Sequence, residues 1–334
     1  MVWFKFVLCV VIILFSGTKL ARYGDAIAEK TGLGRIWVGL VLLAIITSMP
    51  EAVTGVSSAA LIGLPDLGLG TLLGSCIFNL VIIALLDILC RSGPVLNQAS
   101  SRHILLAGVV ILLAAIAAGG IIVGEKFPDL ALGWVGIISI IILILYLVAG
   151  RQIFRSERSQ QRVLPASPLK YEGDSTKAVW LRFTLAAAAV IGAGIWLSFV
   201  GDEIAETYRL GTTFVGSLFL AVATSMPELV VAITALRLGA VDMAVANILG
   251  ANMLDITHIF TVDLFYSKGA VLASVSRVHL ITAVVTIVMS LIVILGLRFR
   301  QKRKTFFVIS WYAVALIVVY ILGAYALFKG VGLG

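Results

Sequence analysis

One five-residue segment, TSMPE, occurs twice in the chain, at 47–51 and again at 224–228. Each copy ends in a glutamate, Glu51 or Glu228, that lies near the middle of a long apolar stretch. An ionisable residue at the centre of a membrane is costly, so one found there is expected to have a partner or a function. The threonine of each copy precedes its glutamate by four residues, which places hydroxyl and carboxylate on one helix face.

The proline before each glutamate adds a second kind of oxygen ligand. Pro50 offers no N–H to the carbonyl of Ile46, and Pro227 offers none to the carbonyl of Ala223. Carboxylate, hydroxyl and carbonyl oxygens are hard ligands that suit Na⁺ and Ca²⁺ better than thiophilic metals. A simple proline kink would explain one copy, but two matched copies with central glutamates favour a cation site.

A second pair of segments, GTLLGSCIFN and VANILGANMLD, brings further polar residues to mid-span. Ser75 and Asn79 are one turn apart in the first segment, as are Ala251 and Asp255 in the second. Three carboxylates in a small apolar volume cannot all stay ionised without cations, so one of them is expected to hold a proton. Asp255 is the candidate because its counterpart in the first segment is not an acid.

The composition requires a membrane around these segments. Of 334 residues, 61% are hydrophobic and 13% are charged, and the mean hydropathy is +1.12. Soluble domains carry about 25% charged residues, so a soluble fold is excluded. The net charge of +8 is interpreted as loop anchors on one membrane face, and no nucleic-acid partner is expected. The three cysteines lack metal-binding spacing, so neither a metal knuckle nor a disulfide framework is predicted. No GxxxxGK[ST] phosphate loop occurs, so an ATP-driven pump is not predicted, and the protein is not expected to be an enzyme.

The apolar stretches predict an all-α integral membrane protein with about ten transmembrane helices, because each crossing needs about 20 residues. The first stretch is expected to be a retained helix that ends before a charged turn at 19–22. The predicted spans lie near 3–20, 36–62, 67–90, 103–123, 129–150, 178–200, 213–238, 243–266, 278–297 and 306–328.

The chain also contains an internal repeat. Residues 24–51 align with 201–228, and 16 of these 28 positions are identical. We predict two five-helix repeats, 1–150 and 178–334, joined by a loop at 151–177. Five helices per repeat invert the second relative to the first, an arrangement typical of secondary transporters with a midplane site. The alignment also matches Asp66 with Asp242, Asn79 with Asp255, Asp87 with Asp263, and His103 with His279.

Lysine and arginine predict the orientation. With both termini outside, nineteen of these residues lie on the inner side and six on the outer side. The 151–177 loop is therefore expected to be cytoplasmic, in a protein of the cell membrane. Asp87 and Asp263 are expected to cap helix ends, with an ion vestibule as the alternative, and His103 and His279 are expected to face a wetted interface.

The paired TSMPE segments, each followed by G-S/A-x-[IM]-[FL]-[ND], resemble the two alpha repeats of the sodium/calcium exchanger family, within the cation/calcium antiporters. The resemblance covers essentially the whole chain. It implies Na⁺ and Ca²⁺ as transported substrates in a lipid bilayer, no cofactor and no obligate protein partner, and it makes Glu51 and Glu228 the central calcium carboxylates. The other ligands that it implies are Thr47, Ser48, Thr224, Ser225, Ser75, Asn79, Asp255 and the carbonyls of Ala44 and Ala221.

Several positions depart from the pattern of that family. Ile46 and Ala223 stand where the family often has glycine, and Thr71 and Cys76 stand where it has asparagine. Ala251 replaces a serine, and since a side chain without oxygen cannot coordinate Na⁺, one sodium site is expected to be weakened or lost.

The sequence thus predicts a secondary antiporter that moves Ca²⁺ outward, driven by inward Na⁺, by alternating access. The resemblance further implies that the first and sixth spans, which carry no ligands, are the moving helices. Two alternatives remain: a proton- or potassium-coupled cation antiporter of the same fold, and a passive cation channel.

Overall fold

The computed structural model describes residues 1–31, 45, 47–158, 175–237, 239–301, 303–306 and 308–330. Within these ranges the protein is helical apart from turns, an isolated bridge and one hairpin, in which Ala131–Leu132 pairs with Val135–Gly136. Most of the helices are apolar around their whole circumference, as expected of helices buried in lipid or in other helices. The prediction of an all-α membrane protein is confirmed.

Ten helices, α1 to α10, overlap the ten predicted spans. They are α1 (Val2–Thr31), α2 (Met49–Val56), α3 (Pro65–Leu89), α4 (His103–Lys126), α5 (Ile137–Arg158), α6 (Thr176–Tyr208), α7 (Thr212–Thr224 followed by Met226–Arg237), α8 (Val241–Phe265), α9 (His279–Arg298) and α10 (Trp311–Gly330). The chain continues α2 as a π-helix at Ser57–Ile62, and part of α7 is π-helical at Gly216–Leu220. Short helices at Val95–Gln98 and Val271–Ala273 precede α4 and α9.

Seven of the described helices are long and apolar enough to cross a membrane, and the bent α7 would make eight. Residues 32–44 and 46, in the second predicted span, lie outside the described residues. The apolar part of α5, Ile137–Ile153, is shorter than a full span. The protein is therefore a multi-pass membrane protein, while the count of ten spans stays a prediction.

The two helices that begin the repeats are longer than predicted. The predicted charged turn at 19–22 is wrong, because α1 continues through it to Thr31. Likewise α6 extends to Tyr208 and ends where Arg209 adopts a left-handed conformation, with φ of 53°. Charge ends an apolar span but does not end a helix, so the helices continue beyond their apolar parts.

The centre of the bundle is formed by α3 and α8. In an apolar 18-residue stretch of each helix, 72% of the residues of α3 and 67% of those of α8 are buried, against 28% in α1 and α10. Helices at equivalent positions of the two repeats pack on each other: α1 on α6, α3 on α8 and α4 on α9. Asn252 of α8 donates to the carbonyl of Cys76 of α3 at 3.0 Å. A β-carbon at Gly70 would lie 2.9 Å from the carbonyl oxygen of Thr213, so glycine lets α7 approach α3 closely.

Candidate functional site

Both TSMPE segments interrupt their helices at the serine. Ser48 has φ −85° and ψ 8°, and Ser225 has φ −83° and ψ 10°, so the two repeats break in the same way. In α7 the break bends the helix by 44°. Each glutamate then lies in the first turn of the helix that follows, where the helix dipole favours a negative charge.

Each glutamate is met by hydroxyl groups of the other repeat. Ser225 Oγ donates to Glu51 Oε1 at 2.9 Å, and Ser48 Oγ lies 3.4 Å from Glu228 Oε1. Thr224 contacts Glu51, as Ser225 does, and Thr47 contacts Glu228, as Ser48 does. The sequence placed each threonine on the helix face of its own glutamate, but the break at the serine redirects these hydroxyls across the interface between the repeats.

The predicted residues of α3 and α8 join this cluster. Asn79 Nδ2 donates to Asp255 Oδ2 at 3.2 Å. Ser75 Oγ lies 3.4 Å from Thr224 Oγ1 and 3.5 Å from the carbonyl oxygen of Ala221. All of these side chains are fully buried. The structure thus brings together the predicted residues that it describes, whereas Ala44 and Ile46 lie outside the described residues.

Four buried oxygens of the cluster have no hydrogen-bond donor among the residues that the structure describes. They are Glu51 Oε2, Glu228 Oε2, Asp255 Oδ1 and Asn79 Oδ1. A buried carboxylate oxygen without a donor costs more than its neutral equivalent, since the charge has lost its water. These oxygens are therefore the places where a positive ligand would lower the free energy most.

No cationic side chain compensates the three carboxylates in the contacts described for them, which involve hydroxyl, amide and other carboxyl groups. Over the described ranges, no group of three or more His, Cys, Asp or Glu side chains is arranged to hold a metal ion. A cation here would therefore need hydroxyl and carbonyl oxygens as well as carboxylates. That donor set suits hard ions such as Na⁺ and Ca²⁺.

Two symmetry-related histidine–aspartate pairs were missed by the sequence analysis. His279 Nε2 lies 3.0 Å from Asp66 Oδ1, and His103 Nε2 lies 2.9 Å from Asp242 Oδ1. Each pair joins one repeat to the other. Both imidazoles are buried, so the expected wetted interface is wrong: an aspartate provides the polar partner that water was expected to provide. The signal was present, because all four residues match in the repeat alignment.

Asp87 and Asp263 behave as predicted for capping residues. Asp87 Oδ1 accepts from the backbone N–H of Val95 at 3.0 Å, and Asp263 Oδ2 accepts from that of Gly136 at 2.8 Å. Both carboxylates are buried near the ends of α3 and α8. Asp87 binds the loop that follows α3, and Asp263 binds the hairpin that precedes α5.

A family model described as sodium/calcium exchanger protein matches residues 1–150 and 178–329. Inner membrane protein YrbG of Escherichia coli is 25% identical over 286 residues, which cover 84% of this chain and 85% of YrbG. Sodium/calcium exchanger MaX1 of Methanosarcina acetivorans is 32% identical over 156 residues, covering 45% of this chain and 42% of MaX1.

Solved structures of the sodium-calcium exchanger NCX_Mj share the fold. The structure from a crystal soaked with 2.5 mM Na⁺ and 1 mM Sr²⁺ has a TM-score of 0.61 at 19% identity, and the match covers 97% of each chain. Another, from a crystal soaked with 100 mM Na⁺ and 10 mM Sr²⁺, has a TM-score of 0.59 at 20% identity, covering 97% of this chain and 99% of NCX_Mj. At these identities the match establishes the fold of the chain.

Proposed function

The chain belongs to the sodium/calcium exchanger protein family, and we propose that it exchanges Na⁺ for Ca²⁺ across the cell membrane by alternating access. Membership makes it a cation/calcium antiporter rather than an enzyme, with ions as substrates and no cofactor. The observation that carries the finer proposal is the crossed arrangement of Glu51 and Glu228, each fully buried against hydroxyls of the other repeat.

Burial of the carboxylates gives a physical reason for obligatory exchange. An occluded site with three carboxylates, and with no cationic side chain in the contacts described for them, is unstable when empty, because desolvated like charges repel each other. Loading with Ca²⁺ or with Na⁺ neutralises the site. The empty site is therefore too costly to move between the two membrane faces, and one ion species must replace the other.

The ligands proposed for these ions are the oxygens of the cluster. The carboxylates of Glu51 and Glu228 bind Ca²⁺, and their Oε2 atoms, which accept no hydrogen bond from the described part of the chain, support that role. The other proposed ligands are Thr47, Ser48, Thr224, Ser225, Ser75, Asn79, Asp255 and the carbonyls of Ala44 and Ala221.

The proposed moving elements are α1 and α6, which pack on each other and cover the two helix breaks. A β-carbon at Gly17 of α1 would lie 2.8 Å from Cγ of Pro227. One at Gly194 of α6 would lie 3.0 Å from Cγ1 of Val53. Glycine at both crossings gives α1 and α6 smooth contact surfaces next to the site, which supports sliding of this pair.

The proposed organisation is two inverted repeats, 1–150 and 178–334, with both termini outside and the 151–177 loop in the cytoplasm. The lysine and arginine asymmetry supports this orientation. The packing of equivalent helices in pairs supports a two-fold relation between the repeats.

The test is ⁴⁵Ca²⁺ flux in proteoliposomes under imposed Na⁺, K⁺ or H⁺ gradients. We expect Ca²⁺ uptake only when the proteoliposomes are loaded with Na⁺, so that Na⁺ flows out as Ca²⁺ enters. Flux driven by a K⁺ or H⁺ gradient would show that K⁺ or H⁺, and not Na⁺, is the coupling ion. This alternative is favoured by Oδ1 of Asp255, which has no donor within the described ranges, and by the absent hydroxyl at Ala251. Flux without any counter-ion gradient would identify a passive channel and overturn antiport.

A further inference from the structure

A groove opens on the exposed surface of α4, next to the start of that helix. Its volume is about 620 Å³. Ser101 and Arg102 line one end, and apolar residues of α4 between positions 104 and 112 line the remainder. A β-carbon at Gly108 would meet no described atom within 4 Å, so this glycine keeps the middle of the groove open. Leu112, at the far end, is 49% exposed.

The polar end of the groove carries positive charge from both halves of the chain. Arg102 lines it directly. Arg300, in the segment that follows α9, donates to Ser101 Oγ at 3.0 Å. One carboxylate contacts the same loop, because Asp242 Oδ1 accepts from the N–H of Ser100. Two arginines against one aspartate leave this end of the groove positively charged, and it therefore suits an anion.

The equivalent face of α9 differs in both charge and shape. In the repeat alignment, Val278 takes the place of Arg102, and Val284 takes the place of Gly108. The end of α10 lies against this part of α9, since a β-carbon at Gly330 would be 3.4 Å from Cγ1 of Val278. An open groove with a cationic end is therefore a property of the first repeat, and the fold that the two repeats share does not require it.

We propose that this groove binds an anionic phospholipid, with an acyl chain along α4 and the phosphate group between Arg102 and Arg300. Lipid tails are as apolar as the groove, so the apolar contacts alone favour no lipid over another. The arginines supply the preference, because a guanidinium group donates two parallel hydrogen bonds to a phosphate. A zwitterionic lipid also carries a phosphate, but its own ammonium group offsets that charge.

The bound headgroup joins the two repeats on one membrane face. Arg102 precedes α4 of the first repeat, whereas Arg300 follows α9 of the second. Asn97 Nδ2 donates to the carbonyl of Gln301, and this bond holds the segment with Arg300 beside the start of α4. The inference does not depend on which ions are exchanged, since it requires only a protein surrounded by lipid.

The test places a fluorophore at the apolar end of the groove. Leu112→Cys, in the full-length protein without its native cysteines, is labelled with bimane and inserted into phosphatidylcholine nanodiscs. These contain increasing fractions of either brominated phosphatidylglycerol or brominated phosphatidylcholine, whose acyl chains quench bimane on contact. We expect brominated phosphatidylglycerol to bind more tightly, by about fivefold for each of the two arginines, the usual contribution of a basic residue near an anionic lipid.

Three sets of variants separate the groove from the rest of the surface. Arg102→Gln and Arg300→Gln are each expected to lower the preference at the Leu112 label about fivefold. Gly108→Leu is expected to remove the preference while both arginines remain, because its side chain fills the groove. Arg298→Gln removes an exposed arginine that does not line the groove, and it leaves the preference unchanged.

A second labelling position provides the matched control. Val288→Cys lies at the position of α9 that is equivalent to Leu112, and it is also exposed, at 38%. The two brominated lipids are expected to quench this label equally, because the cationic groove is missing from that face.

Equal quenching of the Leu112 label by the two lipids would show that bulk lipid fills the groove, and it would overturn the proposal. Quenching by neither lipid, with normal quenching at Val288, would show that protein covers the groove, and this would overturn it too. Each variant is first checked by size-exclusion profile and thermal unfolding in detergent. If an arginine variant is unstable, Gly108→Leu still decides, since a preference that survives filling of the groove contradicts the proposal.

Discussion

Replacing either central glutamate by glutamine keeps the shape of the side chain and removes one negative charge. Two unit charges 4 Å apart interact by about 4 kcal/mol at an effective dielectric constant of 20, so a divalent ion beside one carboxylate gains about 8 kcal/mol. Part of this is offset, because the neutral amide that replaces the carboxylate would no longer repel the remaining carboxylates of the fully buried cluster. Even about 4 kcal/mol of net loss weakens Ca²⁺ binding about a thousandfold. Both Glu51→Gln and Glu228→Gln are therefore expected to abolish Ca²⁺ exchange.

The assay is Na⁺-driven ⁴⁵Ca²⁺ uptake in proteoliposomes containing equal amounts of inserted protein. The matched control is Glu125→Gln, the same change at a carboxylate that is paired with Arg277 at 2.5 Å on the exposed surface. This control is expected to exchange normally, because the carboxylate of Glu125 is exposed and its partner Arg277 does not belong to the buried cluster. Near-normal uptake by either central variant would refute the assignment of calcium ligands.

Three further results are expected. Single cysteines at Ser159 and Gln301, in a background without native cysteines, should react with membrane-impermeant reagents only from the cytoplasm. Asp66→Asn should lower the free energy of unfolding by about 1–3 kcal/mol, since it leaves the buried His279 without its carboxylate, and thermal unfolding in detergent measures this. Gly194→Val should slow exchange much more than it weakens Ca²⁺ binding, because the added side chain obstructs the surface on which α6 would slide.

Each of these three has its own control. A cysteine at Leu132, in the exposed hairpin between α4 and α5, should react only from outside, and the same sidedness as at Gln301 would contradict the orientation. Asp129→Asn, at an exposed aspartate of the loop after α4, should not change thermal unfolding. Gly192→Val places a side chain on α6 where no described atom lies within 4 Å of the new β-carbon, and equal slowing by both glycine variants would exclude a specific contact at Gly194.

Local and periodic features of the sequence were sufficient to predict most of the helices and the polar residues that the structure brings together in the buried cluster. Apolar length predicted the helices, because each must satisfy its own backbone hydrogen bonds in lipid. The internal repeat identified Glu51 and Glu228. A glutamate at the centre of a membrane is energetically costly, and its occurrence at the same position of both repeats indicates a function. These signals lie within single segments, and for that reason the sequence alone reveals them.

The partners of the carboxylates could not be predicted, because they are set by contacts between the repeats. The sequence relates Thr224 to Glu228 by helical spacing, but the break at Ser225 separates them and directs the threonine to Glu51. The same limitation hid the pairing of His279 with Asp66, residues more than 200 positions apart. The ends of α1 and α6 were missed for a different reason, since charge was taken as a helix end although it marks only the end of an apolar span.

The crossed contacts also explain why the repeat is needed twice in one bundle. Each carboxylate lies on one repeat, while the hydroxyls that contact it lie mainly on the other, so neither glutamate finds its full set of contacts within its own repeat. Movement of one repeat relative to the other therefore changes the surroundings of both glutamates together. In the proposed function, ion binding at these glutamates is therefore linked to the relative position of the two repeats, and that link is the property that an alternating-access exchanger requires.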